Sequence, residues 1–261
     1  MSGIEGLSVE RAGDVAVLRL DDAASMNALT EDIGAGLTAA LKDAECTAGA
    51  VVLTGGERAF SSGAKLSGEA GLGRPGEDLG AVLERTYNPL MLTIRDLGVP
   101  FVTAVRGAAA GIGASLAMSG DIIVAGRSAY FLEAFARIGL VPDGGASVML
   151  TRAVGRVRAM EMMLLAEKLP AETAHEWGLV TRLVDDGDVE PVALDIAARL
   201  AAGPRLALRL IRRAAWAASE STFEETLQRE AAWQSEAGRH PDFAEGIAAF
   251  RAKRPPAFGR T

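Results

Sequence analysis

The chain has 261 residues, a formal net charge of −7, one cysteine and two histidines, and nearly half of its residues are apolar although only 5% are aromatic. This length suits one large domain that buries about three quarters of its unfolded surface. The acidic balance excludes a nucleic-acid binder, which needs clustered Lys and Arg, while the lone Cys46 excludes an internal disulfide and a multi-cysteine metal site. Met1 to Arg11 lacks a basic-then-apolar signal segment, and the apolar run from Val102 to Ser119 is broken by Arg106, Gly107, Gly111 and Gly113. The expectation is a cytoplasmic protein without a membrane partner.

In chain order, Leu7–Arg11 and Val15–Leu20 read as strands joined by a Gly13-Asp14 hairpin. Thr30 opens a helix with Glu31 and Asp32 in its first turn, and Ile33, Leu37, Leu41 and Ala44 recur at helical spacing. Ala50–Leu53 is a buried strand that ends at Gly55-Gly56. Ser67 to Asp78 reads as a mobile glycine-rich loop, and a helix follows from about Leu79 to Leu97, stopped by Gly98 and Pro100. Phe101–Val105 and Ile122–Ala125 are further buried strands, so a largely parallel α/β arrangement is predicted. From Ala146 onward the reading is almost entirely helical, with a capping box from Thr222 to Glu225.

His175 falls on a surface helix and His240 precedes Pro241 as a helix-start residue, so a Ser-His-Asp hydrolase has little to draw on. Any general acid or base is expected to be Asp or Glu. Three glycine-rich joints follow apolar strands: Gly55 to Ala64, Gly107 to Ser115, and Pro142 to Ala146. Small residues there let backbone approach a ligand, and helix starts present free N–H groups to negative charge. Tight turns and close helix packing explain the same composition. Glycines at 107, 111 and 113 do not have dinucleotide-fingerprint spacing, which argues against a nicotinamide-linked reductase.

Taken together, the joints resemble the crotonase superfamily of enoyl-CoA hydratases and isomerases. The resemblance is carried by Asn27-Ala28-Leu29, Ala59 to Ala64, Pro100 to Gly113, Asp121-Ile122-Ile123, Phe131 to Gly145, Ala171 to Val184, and Phe250-x-x-Lys253-Arg254-x-Pro256. It implies a crotonase-like spiral of β-β-α units over residues 1–188 and a helical carboxyl-terminal trimerisation region over 189–261. It also implies an acyl-CoA substrate, with coenzyme A as part of that substrate and no separate cofactor or metal. A homotrimer or dimer of trimers is the implied assembly. By position, the oxyanion hole falls to the backbone N–H groups of Ser62 and Ile112, the Ile112 side chain narrowing the acyl pocket. Ala28, Gly63, Ala64, Lys65, Leu66, Gly111, Phe135 and Lys253 fall at substrate-binding positions.

The two glutamates that activate water in the family's hydratases are replaced by Ser115 and Phe135. Asp143 matches the aspartate of the dienoyl-CoA and epoxyphenylacetyl-CoA isomerases and the chlorobenzoyl-CoA dehalogenases. Segments 84–90, 131–135 and 138–143 look most like the epoxyphenylacetyl-CoA isomerase group. The expected function is therefore an acyl-CoA isomerase with Asp143 as proton carrier. The alternatives are hydration by an atypical carboxylate, Glu133 being nearest in sequence, or a non-catalytic acyl-CoA binder. The plain readings are a helix cap for Asp143, an ordinary helix carboxylate for Glu133, and a solvated or subunit-contacting stripe for Arg205, Arg209, Arg212 and Arg213.

Overall fold

The computed structural model describes residues 4–66, 71–74 and 76–259; part of the expected 67–78 loop lies outside the described residues. β1 (Leu7–Ala12) and β2 (Val15–Leu20) form the antiparallel hairpin expected at Gly13-Asp14, in register from Leu7↔Leu20 to Ala12↔Val15. Thr30 caps α1 (Glu31–Thr47), its hydroxyl accepting the Ile33 N–H at 3.2 Å. Ile33, Leu37, Leu41 and Ala44 all turn into the core. β3 (Ala50–Thr54) and the short β4 (Ala59–Ser61) come next, every residue of both buried.

The single helix expected to about Leu97 is instead α2 (Leu79–Val82), a π-helical turn (Leu83–Tyr87) and α3 (Asn88–Asp96). Pro89 explains the interruption: it lacks an N–H and its ring crowds the preceding turn. The Asn88 N–H reaches back to Leu83 O, widening that turn. β5 (Phe101–Val105), β6 (Ala108–Ala110) and α4 (Ile112–Met118) follow, then β7 (Ile122–Gly126), β8 (Tyr130–Leu132), a 3-10 turn (Ala134–Ile138) and α5 (Ala146–Val154). The remainder is α6 (Arg156–Leu165), β9 (Leu169–Pro170), α7 (Ala171–Glu176), β10 (Arg182–Val184), α8 (Val189–Ala201), α9 (Arg205–Ala218), α10 (Phe223–Ala237) and α11 (Pro241–Ala252).

Two sheets organise the strands, in the orders β1-β2-β3-β5-β7-β10 and β4-β6-β8-β9. From β2 to β10 the larger sheet is parallel throughout. Each repeat gives one strand to the large sheet, one to the small sheet and then a helix, as in β5-β6-α4 and β7-β8-α5. That is the β-β-α spiral. The small sheet was illegible in the sequence because its strands are two or three residues long and show no alternation. β9 and β10, equally short, are the exceptions within the almost entirely helical stretch after Ala146.

The main core lies between the two sheets and under α1, α3, α4 and α5, with Phe60, Phe101 and Phe131 fully buried. The other face of the large sheet is closed by Val189, Ala193 and Ala197 of α8. The arginine stripe on α9 is not wholly solvated. Arg212 is buried, its Nε donating to Asp121 Oδ2 at 2.5 Å and its other nitrogens to the carbonyls of Ile94 and Leu97. Arg205 donates to Glu45 O. These contacts tie the helical region to the ends of α1 and α3. The Thr222–Glu225 capping box forms in full, and His240 caps α11 through Nδ1, as the sequence predicts.

Candidate active site

The central joint of the spiral brings β4 and the start of α4 into close approach. A Cβ on Gly113 would lie 2.7 Å from Ser61 Cβ and 2.8 Å from Ser61 O, so only glycine permits this spacing. Asn27, left-handed at φ 58°, braces the same region. Its Nδ2 donates to Ala59 O at 2.8 Å, its Oδ1 accepts the Asp22 N–H at 2.8 Å, and its carbonyl accepts the Ser61 hydroxyl at 2.8 Å.

A cavity of about 320 Å³ opens against this joint. Its walls come from the segment after β4, the start of α2, the π turn, the start of α4, the 3-10 turn and residues 140–143. Of the residues singled out in the sequence, Ser62, Gly63, Ala64, Leu66, Gly111, Ile112, Phe135 and Asp143 line it. Ala28, Lys65 and Lys253 are not in the lining. Lys65 lies instead near Asp22, whose carboxyl is held below its ordinary range mainly by Ser25 and partly by that lysine. Lys253 is an exposed left-handed residue at the end of α11. Sequence reading missed Leu72, from the loop before α2, and Leu79, Val82, Leu83 and Tyr87, which α2 and the π turn carry to the wall. Leu83 and Tyr87 belong to the π turn, signalled in the sequence only by Pro89.

One expected donor is corrected. The Ser62 N–H is spent on Met26 O at 2.9 Å and its hydroxyl on Ser25 O at 3.0 Å. Successive amides of an extended segment point to opposite sides. The Lys65 N–H bonds Leu29 O at 2.9 Å, so the Ala64 N–H faces away from that contact. Among the described residues the Ala64 N–H has no partner. Ile112 is the first residue of α4, where a backbone N–H has no intrahelical acceptor. Two unpaired amides, from Ala64 and Ile112, therefore belong to the cavity wall. The Ile112 side chain is 1% exposed, and it would collide with a Cβ on Gly144, 2.4 Å from Ile112 Cδ1.

Asp143 is the one carboxylate on the described cavity wall. It does not cap α5: the cap position is Gly145 and no side chain bonds there. Its backbone carbonyl is held by the Ser115 hydroxyl at 2.9 Å and the Ala146 N–H at 3.1 Å. Oδ1 is buried without a hydrogen-bond partner, and burial pushes the carboxyl up to about 6. Tyr87 donates its hydroxyl to Leu29 O at 3.1 Å; burial, then the charge of Asp143, raises its phenol. Phe135 forms apolar wall, and Ser115 acts on the Asp143 backbone. Neither supplies a carboxylate.

Glu133 corrects a second expectation. It is no ordinary helix carboxylate but the residue between β8 and the 3-10 turn, 0% exposed, with neither carboxyl oxygen hydrogen-bonded. Burial and then the charge of Asp143 push it up to about 8.

The β-β-α spiral thus places the Ala64 and Ile112 residues and the buried Asp143 carboxyl on one apolar cavity. The enoyl-CoA hydratase/isomerase family profile matches residues 10–261. The chain is 41% identical over 247 residues to the 1,2-epoxyphenylacetyl-CoA isomerase of Escherichia coli (strain K12), covering 94% of each protein. It is 44% identical over 244 residues to a probable enoyl-CoA hydratase of Rhodobacter capsulatus, again covering 94% of each. The structure of enoyl-CoA hydratase subunit I from Geobacillus kaustophilus superposes with a TM-score of 0.90 at 30% identity, over 98% of both chains. The chain belongs to the crotonase superfamily, the enoyl-CoA hydratase/isomerase family, and is an acyl-CoA-acting enzyme of that fold.

Proposed function

We propose that the enzyme isomerises an acyl-CoA thioester through an enolate, with Asp143 carrying the proton and the Ala64 and Ile112 amides holding the thioester oxygen. The observation that carries this reading is the single carboxylate on the described wall of a cavity that also presents two unpaired amides. Ionised Asp143 takes a proton from carbon. The electron pair moves through the conjugated system onto the thioester oxygen, where two preset donors meet it without reorganising. The same carboxyl, now protonated, returns its proton at another carbon and the double bond shifts. No second acid is needed. Burial beside apolar side chains such as Phe135 and Ile112 keeps Asp143 poised near neutrality.

Hydration is the second reading, with Asp143 as the atypical carboxylate on the cavity. The names of the relatives support it at least as well as isomerisation, since a hydratase and an isomerase match over the same span at similar identity. Against it stand Ser115 and Phe135, which leave one cavity carboxylate to place and protonate water. The resemblance also supports a homotrimer or dimer of trimers.

Incubation with a panel of unsaturated and aromatic acyl-CoAs in deuterated water separates the readings. Isomerisation gives a product of unchanged formula apart from deuterium; hydration adds one water. Asp143→Asn, folded and still binding acyl-CoA, is expected to lose carbon–deuterium exchange. Exchange at the wild-type rate in that variant removes Asp143 from the mechanism, and loss of exchange with water addition in the wild type establishes hydration.

A further inference from the structure

Leu29 stands immediately before the Thr30 cap of α1, and three hydrogen bonds converge on its backbone. Its N–H donates to Gly63 O at 2.7 Å, and its carbonyl accepts the Lys65 N–H at 2.9 Å. This parallel bridge grips the cavity segment on both sides of Ala64. The direction of the Ala64 N–H therefore follows the placement of Leu29. A carbonyl oxygen can accept two hydrogen bonds. The second on Leu29 O comes from the Tyr87 hydroxyl at 3.1 Å. Tyr87 is buried and lines the same cavity as Ala64. Its bond is one of a series, because residues 85–87 of the π turn are fastened in succession to the start of α1. Arg85 donates twice to the Glu31 carboxylate, at 2.6 and 2.8 Å, and the Thr86 hydroxyl donates to the same group at 3.2 Å. Gly34 of α1 leaves the space these side chains fill. A Cβ there would lie 2.6 Å from Thr86 Cγ2 and 3.6 Å from Tyr87 Cε1. The Tyr87 ring is thus held from the α1 side with its hydroxyl on the one carbonyl that also holds Lys65.

We propose that Tyr87 is a positioning residue for the oxyanion site: by holding Leu29 O against the Lys65 amide it fixes the extended segment 63–65 and aims the Ala64 N–H at the thioester oxygen of the substrate. This role rests on the Ala64 and Ile112 amides being the donors of the proposed function. Leu29 O is already satisfied by the Lys65 N–H, so the Tyr87 bond adds direction to a carbonyl that has a partner without it. Direction matters here because a donor strengthens the reaction only when preset on the oxygen where charge develops. Tyr87 gives no proton to substrate, its hydrogen being committed to Leu29 O. Burial raises its phenol, so the O–H remains a donor wherever Asp143 works as a base.

Tyr87→Phe keeps the buried ring and removes only the hydroxyl. The direct readout is the infrared carbonyl band of a saturated acyl-CoA carrying carbon-13 at its thioester carbon, bound at saturating concentration. Amides that hold this oxygen displace the band below its position in water, an effect that a hydroxyl needed only for packing would not touch. Wild type is expected to show the displacement, and Tyr87→Phe to keep less than about half of it. In the same variant kcat for carbon–deuterium exchange should fall about tenfold with KM little changed, a part of the hundredfold or more that outright loss of a donor costs. A displacement of wild-type size in folded Tyr87→Phe, or exchange at the wild-type kcat, overturns the role of Tyr87 and leaves the proposed function standing. No displacement in the wild type overturns the amide pair of the proposed function and the role of Tyr87 with it. Should Tyr87→Phe not fold, Glu31→Ala, which releases Arg85 and Thr86 at a part-exposed carboxylate, takes its place. A smaller loss of displacement in the same direction is then expected, and an unchanged band overturns the proposal.

Discussion

Asp143 illustrates how burial adjusts a base. With its carboxyl raised to about 6 by desolvation, it is stronger than an exposed aspartate yet ionised at neutral pH. Carbon–deuterium exchange should therefore rise with pH through about 6 and reach a plateau above it, and Asp143→Asn should lower it at least about a hundredfold. Glu133 bears on stability. Burial lifts it from an ordinary 4.5 to about 8, so between these limits the folded state binds the extra proton. That contribution is fully present below the unfolded value and is lost as pH rises toward the folded one, on the order of 5 kcal/mol across the window. Glu133→Leu should flatten this slope. Denaturant titrations at about pH 5 and about pH 8 should show wild-type stability falling more steeply than that of the variant.

At the scale of elements, the site is a contact between β4 and α4. Ser61 occupies the interface, its hydroxyl donating to Asn27 O and accepting the Gly63 N–H at 3.2 Å. Gly113→Ala forces a methyl into Ser61 and separates the segments that carry the Ala64 and Ile112 amides. It should cost about 1–3 kcal/mol of stability and lower kcat/KM, because an oxyanion donor displaced by a fraction of an ångström loses its strength. Gly187→Ala, where an added Cβ meets nothing within 4 Å, should change neither; thermal unfolding with steady-state kinetics on both variants decides. Ile112→Ala should cost about 2–4 kcal/mol through the cavity it leaves. Its backbone donor survives, so activity should shift toward bulkier acyl groups rather than vanish, which competition between acyl-CoAs of different width measures.

Across the whole molecule, the carboxyl-terminal helices expose apolar side chains that a single chain leaves uncovered. Phe250 is 82% exposed and Phe223 72%, with Leu227 and Phe243 more than half-open to water or nearly so. Patches of this kind mark association surfaces. With the trimer implied by the family, light scattering should give a mass of three copies or a multiple of three, and Phe250→Asp should reduce it. Lys253 stands outside the described cavity lining, and a coenzyme A contact there is part of the proposal drawn from the family resemblance. Lys253→Ala should weaken coenzyme A binding more at low salt than at high salt, since phosphate pairing is screened; calorimetry at two ionic strengths checks this. Among the described residues no helix is long and apolar enough to cross a membrane.

Local chemistry made much of this protein legible in its sequence. Thr30 and Thr222 cap helices because their hydroxyls meet free amides one turn on, and β3, β5 and β7 read as buried runs because both faces of a parallel sheet are covered. The family motifs located Asp143, Ile112 and Phe135 on one cavity through their order along the chain. Tertiary structure decided what depends on direction and surroundings. Whether Ser62 or Ala64 offers its amide turns on the register of an extended segment against Leu29, where a shift of one residue reverses every N–H. The small sheet needed all its strands assembled before any was recognisable. The burial of Glu133 needed the folded chain closed around it, because desolvation belongs to the enclosing structure and leaves no mark on the residue's immediate neighbours in sequence.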